Sequence, residues 1–371
     1  MKKLVWLTCL SLMLTSLSSQ VFALECQWPE WNTFKTNYLQ DGRVVDASDP
    51  RLITTSEGQS YGLFFALVAN DKQAFQQILT WTETHLAEGD LTAHLPAWLW
   101  GQKTTGTYGV LDNNSASDSD LWIAYSLAEA GRLWDNYYYK SLSHLVASRI
   151  LREETLEVPG IGNVLLPGPQ GFDKPDGSYR LNPSYVPLQL LSRMATLYPK
   201  YTWQSLYKTS ATMLTDTAQH GFSPDWVTLK SGVYTADDIT GNLGSYNAIR
   251  SYLWIGMLND ADKEKSTLLQ TMQAMVAATQ QLSAPPREVD TLNGQYTEAG
   301  SPGFSAALLP FLSASNQAAL VEQQAERAHS LLQRNDGKHY YDNVLGLFGE
   351  AWYQERFRFG EHGELQTQCQ K

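Results

Sequence analysis

The spacing of apolar residues is helical along almost the whole of this chain. Apolar side chains recur every three or four residues in eleven segments, which is the pattern of helices with a buried face. The segments are 59–70, 74–86, 121–134, 137–152, 187–197, 203–218, 248–258, 263–282, 306–312, 317–332 and 340–352. Alternating runs are nearly absent, and only 157–166 and 226–234 are compatible with a short hairpin. The pattern predicts an all-α domain of about eleven or twelve helices with at most a small β-hairpin.

The starts of the predicted helices show a second regularity. One helix in each successive pair begins at or near a polar or aromatic residue, and these residues are Glu57, Asp118, Ser184, Asn247, Ser305 and Tyr341. Their successive separations are 61, 66, 63, 58 and 36 residues. Six helix pairs of this kind predict a closed double ring whose inner helices run parallel, so that their N-termini line a common cleft. A helical solenoid fits the same spacing nearly as well.

The N-terminus has the composition of an export signal. Two lysines precede an apolar run over 4–17, and the small residues at 21–23 are typical of a cleavage site. We therefore expect a signal peptide over 1–23 and a periplasmic or secreted mature chain over 24–371. No later stretch approaches the roughly 18 uninterrupted apolar residues of a membrane span. No linker divides the mature chain, which predicts a single domain.

Few residues of the mature chain suit covalent or metal chemistry. Cys26 and Cys369 stand at its two ends, and in an oxidising compartment they can form a disulfide that joins the termini. Two unrelated surface thiols are the alternative. Histidine is scarce and scattered, and neither an H-x-x-x-H spacing nor a cysteine cluster is present, so no metal or organic cofactor is implied.

The charge of the chain restricts its partners. The formal net charge is −11, and it becomes −13 when the two lysines of the signal are removed. An acidic exported chain binds nucleic acid poorly, because phosphate contacts need clustered lysines and arginines. A neutral polymer needs no charge attraction, and the 12 Trp and 19 Tyr supply rings that can stack on sugars. Most aromatic residues of any domain belong to its core, so this observation favours a sugar ligand only weakly.

The segment 116–124, Ala-Ser-Asp-Ser-Asp-Leu-Trp-Ile-Ala, places two acids where a hydrophobic helix is predicted to begin. A helix start carries unpaired N–H groups and partial positive charge, so it can hold a carboxylate ionised and aimed outward. Asp118 or Asp120 can therefore be presented to a ligand. The alternative is that Ser117 or Asp118 merely caps the helix.

Two motifs resemble signatures of glycoside hydrolase family 8. One is 116–124 with Ala-Gly-Arg at 130–132 and Trp134, and the other is Thr-Thr-Ser-Glu-Gly-Gln-Ser-Tyr-Gly at 54–62. The glutamate of the second motif is the general acid in that family, so the resemblance carries this role to Glu57. Protonating a departing oxygen needs an acid with a raised pKa, whereas a helix start favours the ionised form. Burial or a neighbouring carboxylate must outweigh the helix start, and a solvated first-turn acid is the alternative.

The resemblance extends over nearly the whole mature chain and implies a fold, a reaction and a set of site residues. The fold is an (α/α)6 barrel, and the reaction is inverting hydrolysis of internal β-1,4-glucosidic bonds in cellulose or a related β-glucan. Asp118 is implied to be the second essential acid, at the cleavage point, while Asp120 supports the helix start or a neighbouring side chain. The residues implied to contact substrate are Trp98, Trp100, Asp120, Tyr185, Asp225, Tyr246, Asn247 and Arg250. For any one tryptophan, core packing is the alternative.

The block 244–250, Gly-Ser-Tyr-Asn-Ala-Ile-Arg, departs from the family at one position. The family has an aspartate that serves as general base where this chain has Asn247. A carboxamide can orient the attacking water but cannot accept its proton near neutral pH, and loss of a general base typically costs about 10²–10⁴-fold in rate. Another carboxylate can supply the base, and Asp237, Asp238 and Glu298 are the candidates. Otherwise the chain is a feeble hydrolase that mainly holds glucan chains, or the position reflects a sequencing or engineered change.

The blocks are most similar to the periplasmic endo-β-1,4-glucanases that accompany bacterial cellulose synthases. The sequence therefore predicts an exported, monomeric endo-β-1,4-glucanase with Glu57 as acid and Asn247 positioning water at reduced or redirected efficiency. A chitosan- or xylan-cleaving hydrolase of the same fold is one rival. A non-catalytic glucan-binding partner of a cellulose synthase is another, and Asn247 makes it credible. A purely structural solenoid predicts no convergence of the named polar residues.

Overall fold

The computed structural model describes residues 27–104, 106–332 and 339–370, and thirteen α-helices lie within them. They are α1 (Pro29–Tyr38), α2 (Ser56–Val68), α3 (Lys72–Leu86), α4 (Ser117–Leu133), α5 (Tyr137–Glu153), α6 (Leu188–Leu197), α7 (Trp203–Thr217), α8 (Ala248–Gly256), α9 (Lys265–Thr271), α10 (Ala274–Leu282), α11 (Pro302–Ala314), α12 (Ala318–Leu332) and α13 (Tyr340–Tyr353). The predicted signal peptide and Cys26 lie outside the described residues, so the disulfide to Cys369 stays a prediction.

An inner ring of helices surrounds the axis of the domain. It consists of α2, α4, α6, α8, α11 and α13, and each packs against the next. Nearly every residue of α2, α4 and α8 is buried, which marks a helix surrounded by protein. Phe348 of α13 closes the ring, because its side chain packs on Tyr61 and Phe64 of α2 with ring centroids 5.0 and 5.5 Å apart.

Outer helices cover the inner ring and bury only one face each. In chain order, α3 packs on α2, α5 on α4, α7 on α6, α9 on α8 and α12 on α11. Helix α10 follows α9 directly. No further α-helix follows α13 within the described residues, and α1 packs against α13 in that place. Six helix pairs therefore form the (α/α)6 barrel, which confirms the predicted fold class.

Two glycines allow the inner helices to approach closely. A Cβ on Gly349 of α13 would lie 1.8 Å from the Ala306 carbonyl oxygen of α11. A Cβ on Gly256 of α8 would lie 2.2 Å from the Phe311 nitrogen of the same helix α11. These neighbours are backbone atoms that no side-chain rotation can move, so the ring has its present diameter only because the two positions lack a side chain.

The strands are short and most of them lie in the connections that lead into inner helices. They are β1 (Leu39–Gln40), β2 (Arg43–Val44), β3 (Thr54–Thr55), β4 (Leu99–Thr104), β5 (Thr107–Asp112), β6 (Thr155–Val158), β7 (Gly162–Leu165), β8 (Ser178–Leu181), β9 (Val227–Lys230), β10 (Val233–Ala236), β11 (Leu243–Gly244), β12 (Val289–Asp290), β13 (Gln295–Tyr296), β14 (Phe357–Phe359) and β15 (Leu365–Thr367). Every pairing is antiparallel, in the sheets β1–β2, β3–β4–β5, β6–β7, β10–β9–β8, β11–β12–β13 and β14–β15.

The structure corrects three details of the predicted elements. Both expected hairpins are present, as β6–β7 and β9–β10, but the other strands were not expected because two to six residues are too few to show alternation. Helix α1 was not predicted. The helix expected over 263–282 is divided at Met272 and Gln273, where hydrogen bonds from residue i+3 to residue i tighten the chain into a turn.

None of the helices within the described residues is both long enough and apolar enough to cross a membrane.

Candidate active site

The first turn of α2 presents Glu57 to the space between the inner helices. Twelve of the thirteen residues of α2 are buried, and Glu57 is the exception, with 25% of its side chain exposed. Thr55 caps the helix by accepting a hydrogen bond from the Gly58 N–H at 3.0 Å. The Ser56 N–H donates to the Trp98 carbonyl at 3.0 Å. The helix start is thereby fixed, and the Glu57 carboxylate faces the cleft.

Arg250, in the first turn of α8, joins groups from three inner helices. Its Nη1 donates to a Glu57 carboxylate oxygen, to the Tyr61 hydroxyl at 3.1 Å and to Asp118 Oδ2 at 3.3 Å. Its Nη2 donates to Asn247 Oδ1 at 2.8 Å. Only 4% of the Arg250 side chain is exposed, so water screens these contacts weakly. The predicted convergence of polar side chains from separate helix pairs is therefore present.

Burial governs the ionisation of Asp118. Burial first, and then the charge of Glu57, raise the pKa of Asp118 to about 7, against the opposing effects of Arg250 and Ser119. Glu57 and Asp118 contact the same guanidinium nitrogen, so the two acids lie on one branch of Arg250.

Asn247 lies on the other branch of the Arg250 guanidinium. Its Oδ1 accepts hydrogen bonds from Arg250 Nη2 at 2.8 Å and from Asn182 Nδ2 at 3.1 Å. These two donors fix the orientation of the amide, and Asn247 Nδ2 makes no hydrogen bond to the described residues. An amide held in this way can donate to a water or a sugar hydroxyl, but it has no basic atom that takes a proton.

Asp225 holds the start of α8. Its Oδ1 accepts hydrogen bonds from the N–H groups of Ser245, Asn247 and Ala248 at 2.8, 3.0 and 2.7 Å. Asp225 is 5% exposed, and burial raises its pKa although these N–H groups oppose the shift. The structure shows Asp225 as a helix cap that places Asn247 and Arg250, and its contact with substrate stays a prediction.

Tyrosines surround the charged centre. The guanidinium carbon of Arg250 lies 5.6 Å from the ring centroid of Tyr185. The Tyr341 hydroxyl donates to the Tyr246 carbonyl at 2.6 Å. The Tyr246 ring packs against the rings of Tyr341 and Phe304, and 49% of Tyr246 is exposed. Burial raises the pKa of Tyr341 well above that of a free phenol, so this hydroxyl stays neutral and can donate a hydrogen bond in the site.

An aromatic platform lies beside this centre. Trp226 is stacked on Phe172 with centroids 6.1 Å apart and planes 4° apart, and Tyr185 is 5.8 Å from Trp226. The guanidinium carbon of Arg180 lies 3.9 Å from the Trp226 ring centroid. Trp226 and Phe172 are partly exposed, so the platform offers apolar surface next to the Arg250 cluster.

None of the three carboxylates considered as substitute bases hydrogen-bonds Glu57, Asp118 or Asn247 within the described residues. Asp237 accepts from Arg180 at 2.8 and 3.1 Å; burial opposes ionisation, but Arg180 and Thr240 outweigh it and lower the pKa of Asp237 to about 2.

The other two substitutes are engaged at the surface. Asp238 pairs with Lys174 at 2.9 Å, and Glu298 pairs with Arg287 at 3.0 Å. Within the described residues, neither ion pair includes a residue that contacts Arg250.

The remaining predicted contacts are divided between the cleft and other parts of the barrel. Trp98 is 36% exposed and adjoins the start of α2. Trp100 instead stacks on Tyr108 and meets Trp81 of outer helix α3, with centroids 5.2 and 5.3 Å apart. Asp120 is fully buried within α4, so it supports the structure below the cleft instead of facing a ligand.

The sequence did not identify several residues that complete the site. Asn182, Trp226 and Phe172 were given no role of their own, and Tyr341 was noted only as the start of a helix pair. The Asn-Pro-Ser sequence at 182–184 contains the available signal: Asn182 Oδ1 accepts from the Ser184 N–H at 2.9 Å in a helix-cap arrangement. Within the described residues, no three His, Cys, Asp or Glu side chains are grouped as metal ligands.

Comparisons with known proteins show the family of this chain. A family model described as glycosyl hydrolases family 8 matches residues 1–355. An endoglucanase from Salmonella typhi is 47% identical over 365 residues, which cover 97% of this chain and 95% of that protein. An endoglucanase from Escherichia coli strain K12 is 46% identical over 344 residues, which cover 92% of this chain and 91% of that protein.

Solved structures give the same result. The endo-1,4-D-glucanase from Vibrio fischeri ES114 is 51% identical with a TM-score of 0.90, and the match covers 92% of this chain and 99% of that one. A family 8 endoglucanase from Klebsiella pneumoniae is 23% identical with a TM-score of 0.74 over 88% of this chain and 99% of that one, which shows a shared fold.

Proposed function

Because this chain belongs to glycosyl hydrolases family 8, we propose that it is an endo-β-1,4-glucanase that cleaves internal bonds of a β-glucan with inversion. The observation that carries the proposal is the convergence of Glu57, Asp118 and Asn247 on Arg250 in one cleft. The relatives named endoglucanase, which share 44–47% identity over at least 91% of the chain, support the substrate class.

Glu57 is the proton donor to the departing sugar oxygen in this proposal. It is the one accessible residue of α2, and it shares the Arg250 guanidinium with Asp118. Arg250 and Asp118 then orient the sugar ring at the cleavage point. The platform of Trp226 and Phe172 supports a neighbouring sugar by stacking.

Asn247 makes the hydrolysis slow. Its amide orients the attacking water through Nδ2, but within the described residues no carboxylate hydrogen-bonds that amide, so the proton of the water must pass to bulk solvent. The Arg250 and Asn182 donors that hold Asn247 Oδ1 suit a carboxylate oxygen equally well. An aspartate at this position therefore places a base where the amide now lies.

The second candidate function is glucan binding with little turnover, as a partner of a cellulose synthase. Asn247 is the specific observation in its favour. Both proposals include export to the periplasm or beyond, because the apolar N-terminal run over 4–17 is that of an export signal. Both also include a monomeric state. A chitosan- or xylan-cleaving activity differs only in substrate and is tested in the same assay.

Release of reducing ends from a soluble cellulose derivative tests these proposals. We expect wild type to be slow, Glu57→Gln to be inactive, and Asn247→Asp to gain about 10²–10⁴-fold in rate. Asn32→Asp, the same change on the exposed side of α1, is the matched control and gains nothing. Chitosan and xylan are assayed in parallel.

Each other outcome has a distinct meaning. A fast wild type that Asn247→Asp leaves unchanged contradicts the slow-hydrolase proposal and requires a base from elsewhere. Full activity in Glu57→Gln contradicts the acid assignment. Tight binding of cello-oligosaccharides without hydrolysis, even in Asn247→Asp, favours the binding partner, and preference for chitosan or xylan contradicts the glucan substrate.

A further inference from the structure

Two carboxyl groups are buried directly beneath the cleft. Asp120 lies in the first turn of α4, two residues after Asp118, and Glu154 is the residue at the C-terminal cap of α5. Both are 0% exposed. Their carboxyl groups are within hydrogen-bonding reach of each other. The pair therefore joins an inner helix to its outer partner at the end of the barrel that carries the cleft.

The hydrogen bonds around this pair are incomplete for two ionised acids. Glu154 Oε1 accepts from the Ser115 hydroxyl at 2.6 Å. Glu154 Oε2 and both oxygens of Asp120 receive no hydrogen bond from any donor group in the described residues. A buried carboxylate oxygen without a donor is costly, but a proton on one of the two acids gives the pair a donor of its own.

The charges that face the pair are all negative. Asp118 faces it from α4, and Glu153 faces it from α5. Arg149 and Arg152, the nearby cations of α5, are each paired with Glu153 at 2.7 Å. Burial is the largest influence on both acids and raises the pKa of each, and the charges of Asp118 and Glu153 act in the same direction.

We propose that Asp120 and Glu154 hold one proton between them and act as a single positioning unit for Asp118. The shared proton forms the hydrogen bond that fastens the first turn of α4 to the end of α5. It also limits the pair to one negative charge beside Asp118, because two adjacent buried carboxylates cannot both ionise at neutral pH. Neither acid touches the sugar, so both act through Asp118.

Isosteric amides test the proton count. Glu154→Gln and Asp120→Asn each keep one negative charge in the pair, as the wild type does when it holds one proton. We expect each single variant to leave the acid limb of the pH–rate profile where it is. The double variant has no charge, so Asp118 ionises more readily and the acid limb moves down by about one pH unit or more.

Thermal unfolding gives a readout that does not depend on hydrolysis. A carboxyl whose pKa is raised by folding stabilises the protein below its unfolded pKa, and this contribution is lost as pH rises through the folded pKa. The melting temperature of wild type should therefore fall more steeply between about pH 4.5 and 8 than that of Glu154→Gln. Glu157→Gln, an exposed neighbour on β6, is the matched control and keeps the wild-type slope.

Three results overturn the proposal. A shift of the acid limb in the single variants means that the wild-type pair carries two charges. A double variant with an unmoved limb means that the pair does not act on Asp118. Failure of both single variants to fold contradicts it as well, because a site that already holds a proton accepts an amide. The effect on Asp118 rests on the proposed function, but if no glucan is hydrolysed the slope of the melting temperature still decides the proton count.

Discussion

Arg250 is the residue on which the site depends most. One guanidinium nitrogen contacts Glu57 and Asp118, and the other contacts Asn247. The planar fork places these contacts at fixed separations, which a flexible ammonium group cannot do. Arg250 therefore fixes the positions of both acids and of Asn247. The Asp225 cap of α8 in turn fixes the position of Arg250.

Arg250→Lys tests whether the site needs the planar guanidinium or only its positive charge. We expect it to fold but to lose at least about 10²-fold in the rate of glucan hydrolysis, because one ammonium cannot reach Asn247 and both acids together. Arg250→Met leaves the buried Asp118 and the partly exposed Glu57 without their cation and should cost about 3–5 kcal/mol of stability, most of it from Asp118. Rates and thermal unfolding of both variants are the measurement, with the exposed Arg152→Lys as control. A wild-type rate in Arg250→Lys contradicts the importance of the fork.

At the same scale, sequence indicated which residues cluster but not what each side chain does. Glu57, Asp118, Asn247 and Arg250 could be identified because their motifs resemble those of the family, and the structure brings them together. The role of Asp225 could not, because a buried aspartate can cap a helix or meet a ligand, and only the positions of its neighbours decide which. The sequence cannot show those positions before the chain is folded.

At the scale of elements, helical periodicity was sufficient because each outer helix buries a single stripe. The buried residues of α3, for example, are spaced by three or four along the helix. Helix α1 has the same spacing in Trp31, Phe34 and Tyr38, but it is short and begins with a proline, so the pattern alone did not distinguish it. The two- and three-residue strands depend on pairing between distant loops, which leaves no local pattern to detect.

The contact between α1 and α13 carries a pH-dependent term. Burial, followed by the charge of Glu30, raises the pKa of Glu350 to about 7. The protonated form is therefore favoured in the folded state, and the stability that it contributes below about pH 4.5 is lost as pH rises towards 7. Ionisation of Glu350 therefore lowers the stability of the folded protein at neutral and alkaline pH.

Replacement by a neutral isostere tests this term. Glu350→Gln should melt about 2–4 °C above wild type at pH 8, with the difference shrinking as pH falls to about 4.5. Glu355→Gln, with 76% of the glutamate side chain exposed, is the control and should change little at either pH. A difference between Glu350→Gln and wild type that is the same at both pH values shows that Glu350 ionises normally in the folded protein.

At the scale of the whole molecule, the inner ring gathers helix starts at one end of the barrel. Glu57, Asp118 and Arg250 each belong to the first turn of an inner helix, and Tyr340 and Tyr341 begin another. Side chains that are far apart in sequence therefore meet at one end of the barrel. The geometry of the site depends on how the inner helices pack on one another and much less on the outer ring.

Truncation of one core residue in each ring tests which ring of helices positions the site. Phe348 of α13 packs on Tyr61, whose hydroxyl receives a hydrogen bond from Arg250 at 3.1 Å, whereas Phe75 of outer helix α3 packs on Trp134. Both phenylalanines are 0% exposed, so Phe348→Ala and Phe75→Ala should each cost about 3–5 kcal/mol of stability. At a temperature where both variants remain folded, we expect only Phe348→Ala to lower the hydrolysis rate, by about tenfold or more, because only its cavity lets Tyr61 and Arg250 shift. Equal losses of rate in the two variants would mean that the outer ring positions the acids as firmly as the inner one.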